Sequence, residues 1–364
     1  MSKNKKTIVI ATGGTGGHIF PSVSLFSFLS DKYHVEFITD ERGLKYLGSQ
    51  KNLKANVVSS SRIFSNNVFR IFISSIKIFF SIISSLKILI KLKPKLVVGM
   101  GGYSSFAVCL SAYVLKIPIL IYENNLIVGR ANKLLLPLSK KILVSTENIE
   151  GIKKKYEHKI FFSGYLIRKE ILDLKEKESK ITEKELSILI MGGSQSAKVF
   201  AEQLPEVIKK CSDNGIRFNI YQQCLDNQKN ELNKIYNELN LKFELFSFAK
   251  DLSKYYEKVD FAITRSGASS LAELVNSNIP FIAIPLPSST DNHQLKNAMH
   301  FESKGYCFLL EQKYIFEKLF EMLKDLNTDR NKLILLKEKM KKHSDREALS
   351  KTNELIKGIL NEQI

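Results

Sequence analysis

Short apolar runs rich in β-branched residues recur along the chain in two series, and most neighbours within a series are separated by stretches of helical, amphipathic spacing. The first series is 7–11, 35–39, 96–99, 119–122, 142–145 and 159–162, and the second is 186–191, 216–221, 243–246, 260–264 and 281–284. Brief, nearly all-apolar strands alternating with helices are what a parallel sheet covered on both faces requires. The pattern therefore predicts an α/β protein built from two doubly wound, Rossmann-like parallel-sheet domains. Between the series, residues 169–185 read KEILDLKEKESKITEKE, too polar for a core and suited to a surface helix and linker. The expected organisation is an N-terminal domain over 1–164, a C-terminal domain over 165–340 and a Lys-rich helical tail over 341–364. A length of 364 residues fits two domains at roughly 100–200 residues each.

The halves echo each other where strands end. Ile8-Val9-Ile10-Ala11-Thr12-Gly13-Gly14-Thr15 and Ile188-Leu189-Ile190-Met191-Gly192-Gly193-Ser194 are both strands running into a Gly-Gly-hydroxyl turn. Val97-Val98-Gly99-Met100-Gly101-Gly102-Tyr103-Ser104 is a third case. Two such domains facing each other across a cleft would put these turns at the carboxyl ends of strands, where open α/β sheets bind ligands.

One segment breaks the soluble pattern. From 68 to 92 the chain is strongly apolar, with Phe69, Phe72, Phe79, Phe80 and several isoleucines. Arg70, Ser74, Lys77, Ser81, Ser84 and Lys91 recur mostly three or four apart, which draws a narrow polar stripe on a helix. Such a helix packs deeply into a core or lies in a membrane interface with its lysines toward headgroups. The interrupting charges argue against a span, which needs ~20 predominantly apolar residues.

Composition changes the picture only a little. Hydrophobic residues at 44% and charged residues at 25% exclude wholesale disorder. The net charge of +18 suits an anionic partner, yet only nine of the 55 basic residues are arginine, as compositional drift also produces, so charge selects none. Cys109, Cys211, Cys224 and Cys307 have no C-x-x-C spacing, which argues against a zinc site or a disulfide framework and fits a reducing cytoplasm. The basic start is followed by too short an apolar run for a secretory signal.

The candidate chemistry sits in the turns. Gly13-Gly14-Thr15-Gly16-Gly17-His18 is the densest glycine loop; glycines let a ligand approach the backbone, and the following helix start favours an anion. It lacks the Gly-Lys-Ser/Thr of a P-loop, and Ile19 breaks a dinucleotide fingerprint. His18 reads either as a packing residue or as a general base, since imidazole titrates near neutral pH. In Arg265-Ser266-Gly267-Ala268-Ser269-Ser270-Leu271-Ala272-Glu273, the pair Ser270 and Glu273 has capping-box spacing. The competing reading is a diphosphate on that helix start, with Glu273 accepting bonds from sugar hydroxyls, and the scarce Arg265 beside Gly267 favours it. Asp291, Asn292, His293, Gln294 and Asn297 cluster as donors and acceptors suited to a sugar or, equally, to a polar surface loop.

In order along the chain, GGTGGHIFP (13–21), GMGGYSS (99–105), ENNLIVGRAN (123–132), GGSQSA (192–197), RSGASSLAEL (265–274) and DNHQLKNA (291–298) resemble the motifs of the MurG family. These are peptidoglycan N-acetylglucosaminyltransferases that convert lipid I to lipid II. The resemblance spans about residues 7–300 and implies a GT-B fold, with lipid I bound mainly by the N-terminal domain and UDP-GlcNAc by the C-terminal one. By motif, it places Gly14, Thr15, Gly16, Gly101, Gly102, Tyr103 and Ser104 at the acceptor diphosphate. It assigns Ser194, Gln195, Gly267 and Ser269 to the donor's nucleotide and diphosphate, Glu273 to the ribose, His293 and Gln294 to the GlcNAc hydroxyls, and Arg168 to the nucleotide's vicinity. It puts His18 and Asn125 at the reacting centre as catalytic residues, and Thr15, Gly16, Gly17 and Asn125 also against UDP-GlcNAc.

The same resemblance puts the 68–92 helix on an anionic membrane surface, at the cytoplasmic face of the plasma (inner) membrane, with the protein held peripherally. The chain departs from the family pattern at Ser196 (usually Gly), at Tyr122 (His in His-Glu-Gln-Asn) and at Tyr165-Leu166 (Asn-Pro). The implied reaction is a metal-independent, inverting transfer of GlcNAc to the 4-hydroxyl of MurNAc, with no cofactor and no nucleic-acid partner. No Asp-x-Asp pair is present to hold a cation, so helix starts and glycine-loop amides would steady the departing UDP. A GT-B galactosyltransferase acting on diacylglycerol and a non-catalytic anion binder are the alternatives; the second would need arginine-rich or aromatic surfaces.

Overall fold

Alternation at period two sorts the strand residues between the two faces of each sheet. In the computed structural model, which describes residues 5–47, 53–59, 68–174, 185–193, 197–249 and 251–362, the chain forms two units: 1–168 with 345–364, and 169–344.

In the first unit the order is β1 (Thr7–Ala11), α1 (Gly16–Ser30), β2 (His34–Thr39), α2 (Glu41–Leu47), β3 (Ala55–Val57), α3 (Val68–Leu92), β4 (Leu96–Gly99), α4 (Tyr103–Val114), β5 (Ile119–Glu123), α5 (Arg130–Leu135), β6 (Lys141–Val144) and β7 (Ile160–Phe162). The strands form one seven-stranded sheet in the order β3-β2-β1-β4-β5-β6-β7, every pair parallel. Ile8, Ile10, Phe37 and Val98 turn to one face and join Ile19, Leu25 and Leu29 of α1. Val9, Ala11, Val97 and Ile121 turn to the other and join Leu89 of α3 and Val108 of α4.

The second unit runs α6 (Lys169–Leu172), β8 (Leu186–Met191), α7 (Ala197–Asp213), β9 (Phe218–Gln223), α8 (Lys229–Glu238), β10 (Lys242–Phe246), α9 (Ser253–Tyr256), β11 (Phe261–Thr264), α10 (Ala268–Asn276), β12 (Phe281–Ala283), α11 (His293–Ser303), β13 (Cys307–Leu309), α12 (Phe320–Thr328) and α13 (Asn331–Met340). Its six strands are also parallel, in the order β10-β9-β8-β11-β12-β13. The last helix, α14 (Ala348–Asn361), belongs to the first unit, where Ile356, Ile359 and Leu360 share the core of Leu25 and Leu29. In each sheet the strand order reverses direction once, between β1 and β4 and between β8 and β11. The carboxyl ends at such a switch point leave a crevice for ligands.

Three details bear on the sequence expectation. Strands β3 and β13 were not expected; each has three residues and lies at a sheet edge. Of the surface helix expected over 169–185 only α6 is described, and 175–184 lie outside the described residues. The polar stripe of the 68–92 helix does not face solvent as a whole. Ser81 and Ser85 are buried, and the helix packs on α4, where Ser111 Oγ donates to Ile82 O at 3.1 Å. Small serines let the two helices approach, and the phenylalanines are displaced outward. Phe79 and Phe80 are 60% and 61% exposed, and Ile76 and Ile90 are also exposed, among Lys77, Lys87 and Lys91. Among the described residues no helix is long and apolar enough to cross a membrane.

Candidate active site

At the first switch point the loop after β1 and the loop after β4 lie against each other. Met100 N donates to Ala11 O at 2.8 Å, and Ser104 Oγ donates to Thr12 O at 2.9 Å. Gly102, at φ +85°, approaches so closely that a Cβ there would sit 2.5 Å from Gly13 O, and a Cβ on Gly13 would run into Ser104 Oγ. Gly101 has φ +94°, and a Cβ on it would sit 2.7 Å from His18 Nδ1. The glycines that the sequence marks as ligand-facing are thus needed first for loop-on-loop packing, and they seat the His18 ring beside Gly101. Thr15 and Gly102 precede α1 and α4 with no side chain capping either helix start, and neither first turn carries an acidic residue. Both helix starts consequently favour an anion.

The third loop is organised by a carboxylate. Glu123, at the end of β5 and 3% exposed, accepts from Asn125 N (3.1 Å) and Nδ2 (2.9 Å) through Oε1. Its Oε2 accepts from Gly129 N (2.8 Å) and Asn132 Nδ2 (3.0 Å). Asn124 Nδ2 donates to Gly17 O at 2.9 Å, which joins this loop to the first one. The structure therefore brings His18, Gly17, Gly101 and Asn125 into one locality through Asn124 and Glu123.

Tyr122, the family departure beneath this loop, is buried. Its Oη accepts from Ser145 Oγ at 2.9 Å and from Leu166 N at 3.2 Å, and burial raises the phenol's pKa. The second departure supplies the donor, because a proline at 166 would have no N–H to give. Nearby, Asp345 Oδ1 accepts from Tyr165 N at 2.9 Å. Arg168 stacks its guanidinium over Phe20 of α1, 4.7 Å from the ring centre.

At the second switch point, Gly193 turns with φ +68° and donates its N–H to Gln223 Oε1 at 3.0 Å. Ser194, Gln195 and Ser196 lie outside the described residues. Gln294, in the first turn of α11, accepts from Ser266 N (3.2 Å) and Leu286 N (2.9 Å), so its carbonyl oxygen ties the loop after β11 to the loop after β12. Asn297 Nδ2 adds a bond to Ser266 O at 3.1 Å. His293 Nδ1 bonds to Thr290 O at 2.7 Å, which in the neutral ring makes Nδ1 the donor and leaves the lone pair on Nε2.

Two readings of the RSGASSLAEL segment are corrected here. The residue capping α10 is Gly267, Ser270 lies inside the helix, and no side chain caps its start, so Ser270 and Glu273 form no capping box. Glu273 is instead a buried mid-helix carboxylate, with Tyr256 Oη donating to its Oε2 at 3.5 Å. Arg265, which its scarcity and its place beside Gly267 mark for ligand contact, braces the fold. Its Nη1 donates to Ile284 O and Pro285 O, each at 3.3 Å, and its Nη2 to Gln312 Oε1 at 2.7 Å. The guanidinium stacks on Phe200, and burial lowers its pKa to about 10.

Known proteins resemble the chain along its whole length. The Glycosyltransferase family 28 N-terminal domain matches residues 8–144, and the Glycosyltransferase family 28 C-terminal domain matches 187–357. The UDP-N-acetylglucosamine--N-acetylmuramyl-(pentapeptide) pyrophosphoryl-undecaprenol N-acetylglucosamine transferase of Pelagibacter ubique (strain HTCC1062) is 35% identical over 361 residues, covering 99% of either chain. The transferase of that name from Rickettsia bellii (strain RML369-C) is 35% identical over 347 residues, 92% of this chain and 96% of that one. Among solved structures, Acinetobacter baumannii MurG superposes with a TM-score of 0.74 at 25% identity, covering 97% of this chain and 99% of its own.

Proposed function

The chain belongs to glycosyltransferase family 28, and from that membership we infer that it transfers GlcNAc from UDP-GlcNAc to the MurNAc unit of lipid I, giving lipid II for peptidoglycan synthesis. The observation that carries this reading is the end-to-end likeness, at 35% identity, to the Pelagibacter ubique transferase. Transfer of labelled GlcNAc to a lipid I analogue tests it, and an unlabelled acceptor would overturn it.

The reaction is a single displacement with inversion. The MurNAc 4-hydroxyl oxygen bonds to the anomeric carbon as the bond from that carbon to the UDP oxygen breaks, and UDP leaves with the electron pair. His18 takes the hydroxyl proton, and Asn125 is held by Glu123 in the loop that Asn124 ties to Gly17. The starts of α1 and α4, with Gly14 to Gly17 and Gly101 to Ser104, take the acceptor diphosphate. On the donor side, Gly267 and Ser269 at the start of α10 take the UDP diphosphate, and Ser194 and Gln195 belong to the same group by motif. Glu273 accepts the ribose hydroxyls, while His293 and the amide group of Gln294 meet the sugar. Arg168 lies toward the nucleotide. Dipoles of helix starts, aimed at charge that develops on the leaving diphosphate, suffice without a cation.

The acceptor is a lipid, so the first unit has to meet a membrane surface. Exposed Phe79, Phe80, Ile76 and Ile90, set among Lys77, Lys87 and Lys91 on α3, supply apolar area and positive charge together. That combination suits anionic interfaces without spanning them, and it supports reading the protein as peripheral, on the cytoplasmic face of the inner membrane. Burying the exposed part of one phenylalanine is worth about 1–1.5 kcal/mol, half the full-burial value. Phe79→Ser should therefore weaken partition onto anionic vesicles about tenfold in a sedimentation assay while circular dichroism stays unchanged. Wild-type partition would show that this face does not meet lipid.

A further inference from the structure

The loop between β1 and α1 is held from outside by a side chain that no motif marks. Asp40 follows β2, and its carboxylate is 3% exposed. One oxygen, Oδ1, accepts from Gly43 N at 2.9 Å and from Gly14 N at 3.2 Å; the other accepts from Arg42 Nη2 at 2.7 Å. Gly13 is wedged between this carboxylate and Ser104, since a Cβ on it would sit 3.1 Å from Asp40 Cγ and would overlap Ser104 Oγ.

The bond to Gly43 is the ordinary bond of a residue capping the start of α2. The bond to Gly14 is not, for it crosses from β2 to the neighbouring strand's loop, 26 residues away. Gly14 has φ +88° and nothing within 4 Å of a built Cβ, so packing does not hold it on that side.

We propose that Asp40 is a positioning residue for the acceptor half of the transfer, fixing the Gly14 amide so that Thr15, Gly16, Gly17 and His18 are presented in one fixed arrangement before the acceptor arrives. The proposal rests on the reading of this loop as the acceptor's diphosphate and hydroxyl site. One consequence is that the Gly14 amide is already engaged by a protein carboxylate, so Gly14 borders the acceptor diphosphate without donating to it, and the anion-binding amides of this loop begin at Thr15. A second concerns charge. A carboxylate beside a diphosphate site would repel the ligand, and Arg42, whose side chain is 49% exposed, offsets it at 2.7 Å.

Three variants separate positioning from helix capping. Asp40→Ser keeps a capping side chain for α2, but its single short oxygen cannot serve Gly43 and Gly14 together. Its melting temperature should stay close to wild type, while kcat/KM for a lipid I analogue falls ~10-fold or more, toward the ~10²-fold cost of a 1 Å misplacement near the chemistry. KM for UDP-GlcNAc should not move. Asp40→Asn, which restores an oxygen able to accept both amides, should recover most of the lost kcat/KM. Arg42→Gln should raise KM for the acceptor and leave kcat nearly intact. Hydrogen exchange at the Gly14 amide of the unaltered protein gives a measurement free of folding effects, and slow exchange is expected.

Wild-type acceptor kinetics in Asp40→Ser, equal losses toward donor and acceptor, an Asn variant no better than Ser, or fast exchange at Gly14 would each overturn the proposal. The comparison is made between variants of a protein that transfers GlcNAc to lipid I. Absence of transfer by the wild type would instead refute the functional reading itself.

Discussion

His18→Ala lowers turnover with lipid I by ~10²–10⁴-fold and leaves UDP-GlcNAc affinity nearly unchanged. The magnitude is the usual contribution of a positioned general base. The separation of the two effects follows from placement. His18 lies in the first turn of α1 beside Gly101, in the first unit, whereas most of the donor's contacts, those to its diphosphate, ribose and GlcNAc hydroxyls, are assigned to the loops after β8, β11 and β12 in the second. Removing the imaginary Cβ clash is not the issue at Gly101; the glycine is there because the imidazole occupies the space a side chain would need. Measured turnover within threefold of wild type would exclude His18 as the base and make Asn125 or a carboxylate the next candidate.

Glu273→Gln weakens UDP-GlcNAc binding by ~1.5–3 kcal/mol, the range for hydrogen bonds to a charged group, with an unchanged melting temperature. Glutamine retains an oxygen for the Tyr256 hydroxyl, and it retains helix propensity inside α10. What it loses is the negative charge, and bonds to a charged acceptor are roughly twice as strong as neutral ones. A donor analogue with a 2′,3′-dideoxyribose should bind wild type and variant almost equally, which isolates the ribose hydroxyls. Calorimetry with UDP-GlcNAc reads the difference. Equal affinity of Glu273→Gln and wild type would make this residue a helix–helix contact and nothing more.

How far the sequence carried the account depended on the range of the interactions involved. Both sheets, their parallel sense and the ligand-facing turns were legible because strands buried on both faces, such as 7–11 and 186–191, are continuous apolar runs. Strands β3 and β13 were not, since three-residue edge strands are set by the neighbour they pair with: Ala55 lies opposite Phe37, and Cys307 opposite Phe281. Helical spacing gave α3 its bounds but not its facing. The polar stripe left core packing and a membrane interface open; the close approach of α4 selects small residues, so Ser81 of the stripe and Ser85 beside it are buried.

In the candidate site, Ser270 and Glu273 have capping spacing, but the helix is capped three residues earlier, at Gly267, the glycine after Arg265-Ser266. Arg265 was marked by its rarity and its place beside Gly267, and its carbonyl partners lie 19 and 20 residues away, beyond any local pattern. Asp40 and Glu123 were missed as organisers of the loops. An aspartate after a strand and before a helix does signal a cap; its second bond, to Gly14, exists only once β2 lies beside β1.

The most direct test is a side-by-side acceptor assay with radiolabelled UDP-GlcNAc, the purified protein, and either a lipid I analogue or diacylglycerol in mixed micelles containing a chelator. The account predicts that label enters the lipid I analogue, in a product carrying one added GlcNAc, that the chelator does not slow it, and that diacylglycerol stays unlabelled. Label in diacylglycerol, or none in lipid I while UDP-GlcNAc still binds, would contradict it.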